Sequence, residues 1–125
     1  AYNARIRELK GLEPGLPVAG DKLVCLRNNR EKKLLNGGIW TVDSVREPQP
    51  AAVRMLASSE DHIEREPTEI LVPPEFFDGR EETLTFQQRR EADEFTYGYA
   101  LTCHKAQGSQ WDDVVVFDEA STFRE

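Results

Sequence analysis

The side chains best placed to do chemistry lie in one stretch, where Thr102, His104, Lys105, Gln107, Gly108 and Gln110 follow an apolar run through Tyr99, Ala100 and Leu101. Donors gathered at a strand end and the turn after it are a common setting for α/β binding sites. A threonine hydroxyl and an imidazole can hydrogen-bond a phosphate or a base. Lys105 adds positive charge, and Gly108 lets the backbone approach a ligand without a Cβ clash. This chemistry suits a surface that tracks a polynucleotide strand. With Thr102, Lys105 and Gln107 as neighbours, a core-packing role for His104 is strained. Cys103 beside His104 does not make a thiol nucleophile and its base, because adjacent residues on a strand face opposite ways.

Other stretches imitate sites without completing them. Gly15 to Gly20 has the glycine spacing of a phosphate loop, but Asp21 stands where that loop needs lysine, and Leu23 follows Lys22 where serine or threonine is required. Val114 to Glu119 is an apolar run ending in Asp118 and Glu119, the form of a magnesium-holding strand, yet no phosphate loop stands upstream. His62 sits in a charged loop with no cysteine or second histidine at ligand spacing, so a solvent-facing imidazole is the favoured reading. Arg27, Arg30, Lys32 and Lys33 form a basic loop of the kind that is ordinarily solvated at a hairpin tip, and that reading is preferred to direct nucleic-acid contact. Trp40 and Trp111 lie in or beside strands, and packing is preferred to base stacking for both. An independent nuclease or hydrolase would need an acid pair or a nucleophile that the sequence does not offer.

The elements that must position the first stretch are mostly strands. Ile6 and Leu9 are spaced as in a helix, and Gly11, Pro14, Gly15 and Pro17 end it. Strands are expected over Leu23 to Arg27, Ile39 to Val45, Ala51 to Leu56 and Thr68 to Pro73, with Asn36-Gly37-Gly38 as a turn. Short strands between turn signals, with no long helical period, favour a small antiparallel barrel. Phe76 to Phe95 is polar and reads as a solvated helix or loop. Tyr99 to Gly108 and Val114 to Glu119 read as two buried strands joined by a turn.

Composition sets outer limits. At 125 residues the chain has room for one compact domain, or for one small domain with part of another. A formal net charge of -7 argues against free-standing binding to phosphate backbones, so any nucleic-acid contact must be local and shared with other domains. Cys25 and Cys103 lie in apolar runs without metal-ligand spacing, as expected of buried thiols in a reducing, cytoplasmic setting. No stretch reaches the length of a membrane span.

The segment YALTCHKAQGSQWDDVVVFDE, Tyr99 to Glu119, resembles motif V of RecD-like superfamily 1 helicases, the exonuclease V alpha-subunit-like branch, in which a strand runs into T-x-H-K-[SA]-Q-G-S-[EQ]-[FW]-D. Upstream, GDKLVCLRNNREKKLLNGGIWTV, Gly20 to Val42, resembles that family's block in which a G-D-K strand and an N-G turn build a small inserted barrel. The two blocks cover somewhat over a third of the chain, and the order and separation agree.

The resemblance implies a fold that is mainly β with some α: a lead-in over 1–19, a small Src-homology-3-like barrel over 20–95, and part of a RecA-like α/β domain over 96–125. It implies that Thr102, His104 and Lys105 contact single-stranded DNA, and that Gln107, Gly108 and Gln110 lie near a nucleotide between two motor domains. Gln110 stands where such helicases often carry glutamate, which removes a charge from the implied ribose contact. ATP and Mg²⁺ belong to the intact parent, with none expected bound to this piece. The arginine-bearing motif VI would come next in the family and is absent, so the chain is expected to be inactive alone. Its partners would be single-stranded DNA and the remaining helicase domains, with no membrane. The alternative is a non-enzymatic β-barrel interaction module.

Overall fold

A computed structural model describes residues 2–12, 15–46 and 52–101. Five strands form one antiparallel sheet: β1 (Lys22–Cys25), β2 (Ile39–Val45), β3 (Val53–Ser59), β4 (Thr68–Val72) and β5 (Phe95–Tyr97), in the order β4-β3-β2-β1-β5. Helix α1 (Tyr2–Leu9) precedes them, and short turns of helix, α2 (Glu75–Asp78), a 3-10 turn (Glu81–Thr83) and α3 (Phe86–Arg90), lie between β4 and β5.

Period-two patterning decides which faces are buried. In β3, Val53, Met55, Ala57 and Ser59 are buried while Arg54, Leu56 and Ser58 are half-buried, as a pleat with one covered face requires. Val53, Met55 and Ala57 join Leu23, Cys25, Trp40, Val42, Ile70, Val72, Phe95 and Tyr97 in a single core. The strand runs past Leu56 to Ser59, farther than its sequence pattern indicated, because Ala57 and Ser59 continue the alternation with small side chains.

The sheet curls into a half-barrel. Between Val42 and Ser44 the register of β2 on β3 slips by a residue, a bulge of the kind that bends and twists a strand. The curl brings the free edge of β4 to the residues before β5: the Asp93 N–H donates to the Leu71 carbonyl at 2.8 Å, and the Leu71 N–H donates to the Asp93 carboxylate at 3.0 Å. The chain is thus mainly β with few helices among its described residues.

Turn chemistry follows the sequence closely. Gly37 has φ +93° in the turn before β2, and its N–H donates to the Cys25 carbonyl at 2.8 Å. Gly11, with φ +80°, ends α1, and the following Leu12 N–H returns to the Arg7 carbonyl at 2.9 Å. The Gly15–Gly20 stretch leads into β1, not into a helix, so it lacks the helix N-terminus that a phosphate loop needs.

The segment between β4 and β5 departs from the solvated reading. Thr85 and Gln88 form a reciprocal capping box at the start of α3, and Phe86 is exposed, as a surface helix allows. Phe76 is buried, however, and Phe77 packs on Tyr97 with ring centres 5.2 Å apart. Asp93 and Glu94, the end of the charged run, are buried as well.

Candidate nucleic-acid interface

The residues singled out for strand contact, Thr102, His104 and Lys105, and those placed near a nucleotide, Gln107, Gly108 and Gln110, lie outside the described residues, as do Cys103, Trp111 and Val114 to Glu119. What the structure does describe is the platform from which that segment departs. Strand β5 ends at Tyr97, so the strand expected to begin at Tyr99 is not one over its described residues 99–101: the edge of β1 pairs the chain earlier, at Phe95 to Tyr97, and residues 98–101 lead out of the sheet and into that segment.

β5 adds to the edge of β1 in antiparallel register, with Leu23 opposite Tyr97, Val24 opposite Thr96 and Cys25 opposite Phe95. Gly98 continues the pairing through its N–H to the Lys22 carbonyl at 2.8 Å. A Cβ at residue 98 would come 2.8 Å from the Leu23 carbonyl carbon and 3.0 Å from Val24 N. Only glycine allows the two backbones to lie this close.

The next anchor is a buried polar cluster centred on Asp21. Its carboxylate accepts from Arg7 Nε at 3.0 Å and from a terminal guanidinium nitrogen at 2.9 Å, from the Val18 N–H at 2.8 Å and from the Tyr99 hydroxyl at 2.6 Å. Asp21 is 0% exposed and Arg7 3%. The Tyr99 oxygen in turn accepts from the Lys22 N–H at 3.2 Å, and the Tyr97 hydroxyl donates to the Gly15 carbonyl at 2.5 Å. A buried carboxylate is tolerated when it is paired and its lone pairs are filled, and this one has a two-pronged guanidinium partner and two further donors.

Titration behaviour follows from this geometry. Burial pushes the Asp21 carboxyl up, but the hydrogen bonds from Arg7, Tyr99 and Val18 outweigh it and hold the group below its ordinary range. Burial likewise works against the Arg7 charge, and the bond to Asp21 together with the charge interactions with Tyr97, Asp21 and Tyr99 more than offsets it. Tyr97 and Tyr99 are both pushed up to about 12, Tyr97 by burial and Tyr99 by burial together with its hydrogen bond to Asp21. At neutral pH the cluster is therefore a carboxylate, a guanidinium and two neutral phenols.

Half of the basic loop turns inward. Lys32 Nζ pairs with Asp93 at 2.6 Å, and Arg27 reaches the Glu94 carboxylate at 3.4 Å and also donates to the Ala92 carbonyl. Arg30 and Lys33 are exposed on an open groove of about 450 Å³, shared with Leu35, His62, Glu64 and Arg65. Arg65 holds this loop from the other side, donating to the Lys32 and Lys33 carbonyls at 3.0 and 2.9 Å while lying over the Trp40 ring. Trp40 is 2% exposed and meets Phe95 edge-on, which makes it a packing residue, as its place in a strand indicated. His62 is exposed with Glu64 3.8 Å away, and among the described residues no cluster of potential ligands could hold a metal.

Sequence reasoning missed the Asp21 cluster. Its signal was present: Asn3, Arg7 and Lys10 fall at i, i+4 and i+7, one helix face, ahead of an aspartate at the start of an apolar strand.

With the platform in view, the comparison with known families is specific about where the resemblance lies. Residues 97–125 match the UvrD-like helicase C-terminal domain. The matched stretch starts at the last residue of β5 and includes every residue proposed for strand or nucleotide contact. It supports a C-terminal piece of a superfamily 1 helicase. No solved structure matches the chain.

Proposed function

We propose that the chain is a C-terminal piece of an ATP-dependent DNA helicase of the RecD-like branch of superfamily 1. In this reading the half-barrel is a Src-homology-3-like insertion, and residues 96–125 begin the second RecA-like motor domain. Thr102, His104 and Lys105 contact single-stranded DNA. Gln107, Gly108 and Gln110 lie beside ATP held between the motor domains, where Mg²⁺ and the remaining phosphate-binding groups come from other parts of the parent. The observation that carries the reading is the match of residues 97–125 to the UvrD-like helicase C-terminal domain, within which T-x-H-K-x-Q-G-S runs from Thr102 to Ser109.

The chemistry assigned to the segment is contact and coupling. Phosphoryl transfer depends on positioning and on neutralising charge at the γ-phosphate, which requires a lysine-bearing loop, a metal-binding acid and an arginine finger. A strand-contacting segment one turn away from the nucleotide would transmit closure of the motor domains to the bound strand. The acidic balance of the chain fits a role in which neighbouring domains hold most of the phosphate backbone.

The test uses the longer polypeptide that carries this chain together with a G-x-x-x-x-G-K-[ST] loop and an arginine-bearing helix. His104→Ala should reduce single-strand-stimulated ATPase at least about tenfold, the effect of losing roughly 1.4 kcal/mol of contact, while circular dichroism and thermal unfolding stay as in the parent. A polypeptide without stimulated ATPase would remove the helicase reading. Intact stimulation in the variant would remove His104 from the strand.

A further inference from the structure

Helix α1 touches the exit from β5, Tyr97 to Ala100, through four contacts, all from one polar face. The Asn3 carboxamide brackets Ala100: its oxygen accepts from the Ala100 N–H at 2.7 Å, and its nitrogen faces the Ala100 carbonyl at 3.5 Å. Arg7 lies over the Tyr97 ring, 4.5 Å from its centre, and Lys10 lies over the Tyr99 ring at 4.8 Å. Between them stands Asp21, which takes the Arg7 guanidinium on one side and the Tyr99 hydroxyl on the other. Leu9, which a purely apolar docking face would bury, is 70% exposed.

Polar docking of this kind is directional. An apolar helix face tolerates sliding and rotation, whereas a bidentate guanidinium–carboxylate pair and a bracketing carboxamide each fix distance and angle. Asn3 also stands in for a strand partner. Beyond Gly98 the pairing to β1 ends, and the Ala100 backbone finds its donor and acceptor in a side chain of α1.

We propose that α1 acts as a clamp on the exit from β5 at residues 97–101, with Asp21 as the positioning residue through which it works. Arg7 aligns the carboxylate, the carboxylate aligns the Tyr99 hydroxyl, and Tyr99 with Asn3 sets the path of the backbone out of the barrel. A displacement of α1 is thereby passed to the residues just before Thr102. The bearing of the clamp on single-strand contact rests on the proposed function; the clamp itself does not.

Amide hydrogen exchange on the 125-residue chain separates a clamp from general stabilisation. Asp21→Asn keeps the shape but weakens the pairing to Arg7, and Tyr99→Phe keeps the ring but removes the hydroxyl from Asp21. Each should speed exchange at the Ala100 N–H by about tenfold or more, since a hydrogen bond to a charged group is worth about that factor. Exchange at Met55, in the middle of β3, should change severalfold less, because local openings are decoupled from global unfolding. Asp21→Asn touches neither Ala100 nor Asn3, so its effect at Ala100 must travel through Tyr99 and α1.

Equal acceleration at Ala100 and Met55 would reduce Asp21 to a contributor to overall stability and overturn the proposal. Unchanged Ala100 exchange in Tyr99→Phe would overturn it too, and that variant retains the packing needed to fold. The measurement uses no nucleic acid. Its failure leaves the helicase reading standing, and a failure of stimulated ATPase leaves the clamp standing.

Discussion

The half-barrel buries carboxylates at two places, and it treats them differently. On the α1 side, Asp21 and Arg7 are both sealed from solvent, 0% and 3% exposed, and the pair is two-pronged. On the side where the sheet curls back on itself, Asp93 and Glu94 are buried, but their partners are not: Lys32, Arg27 and Arg89 keep roughly a third or more of their side chains in water. Asp93 also takes the Leu71 N–H, and Glu94 is held by Arg89 at 2.9 and 2.7 Å. Both arrangements close a seam. In the first, neither charge reaches water, so the geometry is specified tightly and a missing partner is costly. In the second, water can replace a departing cation.

The largest difference should appear when one cation is removed from each side. Arg7→Met leaves Asp21 buried without its counterion and should cost about 3–5 kcal/mol in urea unfolding. Lys32→Met should cost at most about 1 kcal/mol, because the ammonium is partly solvated and Asp93 keeps its backbone donor. In 1 M NaCl, where screening acts within about 3 Å, the Lys32 effect should vanish and the Arg7 effect should persist. The Arg7 side is also sensitive to acid. The Asp21 carboxyl is held below its ordinary range, so its stabilisation is complete above the unfolded value and is lost as pH falls through the lower folded value. Equal losses from the two substitutions would erase the distinction between a sealed and a solvated seam.

A smaller effect is expected where the α1 side depends on close backbone approach. Gly98→Ala should cost about 1–3 kcal/mol, because the added methyl meets the Leu23 carbonyl carbon at 2.8 Å and backbone cannot move aside as a side chain can. The φ of Gly98 is not in the left-handed region, so the loss would come from space alone. Thermal unfolding with both alanine and serine at residue 98 checks this: serine should be at least as damaging as alanine, and a neutral alanine variant would mean that β5 can shift away from β1.

The two sides were also unequally legible in the sequence. Strands β1 to β4 were visible because alternation and turn residues, Asn36-Gly37 above all, act locally and leave a period in the sequence. β5 was not, since Phe95 and Tyr97 are only three residues' worth of alternation after a charged run, and what makes them a strand is the open edge of β1. For α1, the apolar spacing of Ile6 and Leu9 pointed to a helix and the helix is there, but the face that docks is Asn3, Arg7 and Lys10. Burial of Arg7 and Asp21 depends on a contact between residues fourteen apart, and the helical spacing that groups Asn3, Arg7 and Lys10 does not name their partner. The segment proposed for strand contact carries a different kind of signal. Its residue types mark it directly, and the family match falls on the same stretch, although Thr102, His104, Lys105, Gln107, Gly108 and Gln110 lie outside the described residues.

The effect that is smallest at neutral pH, where it is absent, concerns the two tyrosines that complete the α1 side. Tyr97 and Tyr99 are pushed up to about 12, whereas a tyrosine in the unfolded chain ionises near 10. For a group whose folded value is raised, the contribution is fully present below the unfolded value and is lost as pH rises towards the folded one. Stability should therefore be flat with respect to these groups up to about pH 10 and should fall between about 10 and 12, where the unfolded chain releases phenolic protons that the folded chain retains. Absorbance at 295 nm should show two tyrosines titrating about two pH units late, and Tyr99→Phe should remove one of them. A Tyr99 that ionised near 10 in the folded chain would mean that its hydroxyl is in water and not on Asp21, which would leave Arg7 as the only side-chain donor described at the sealed carboxylate.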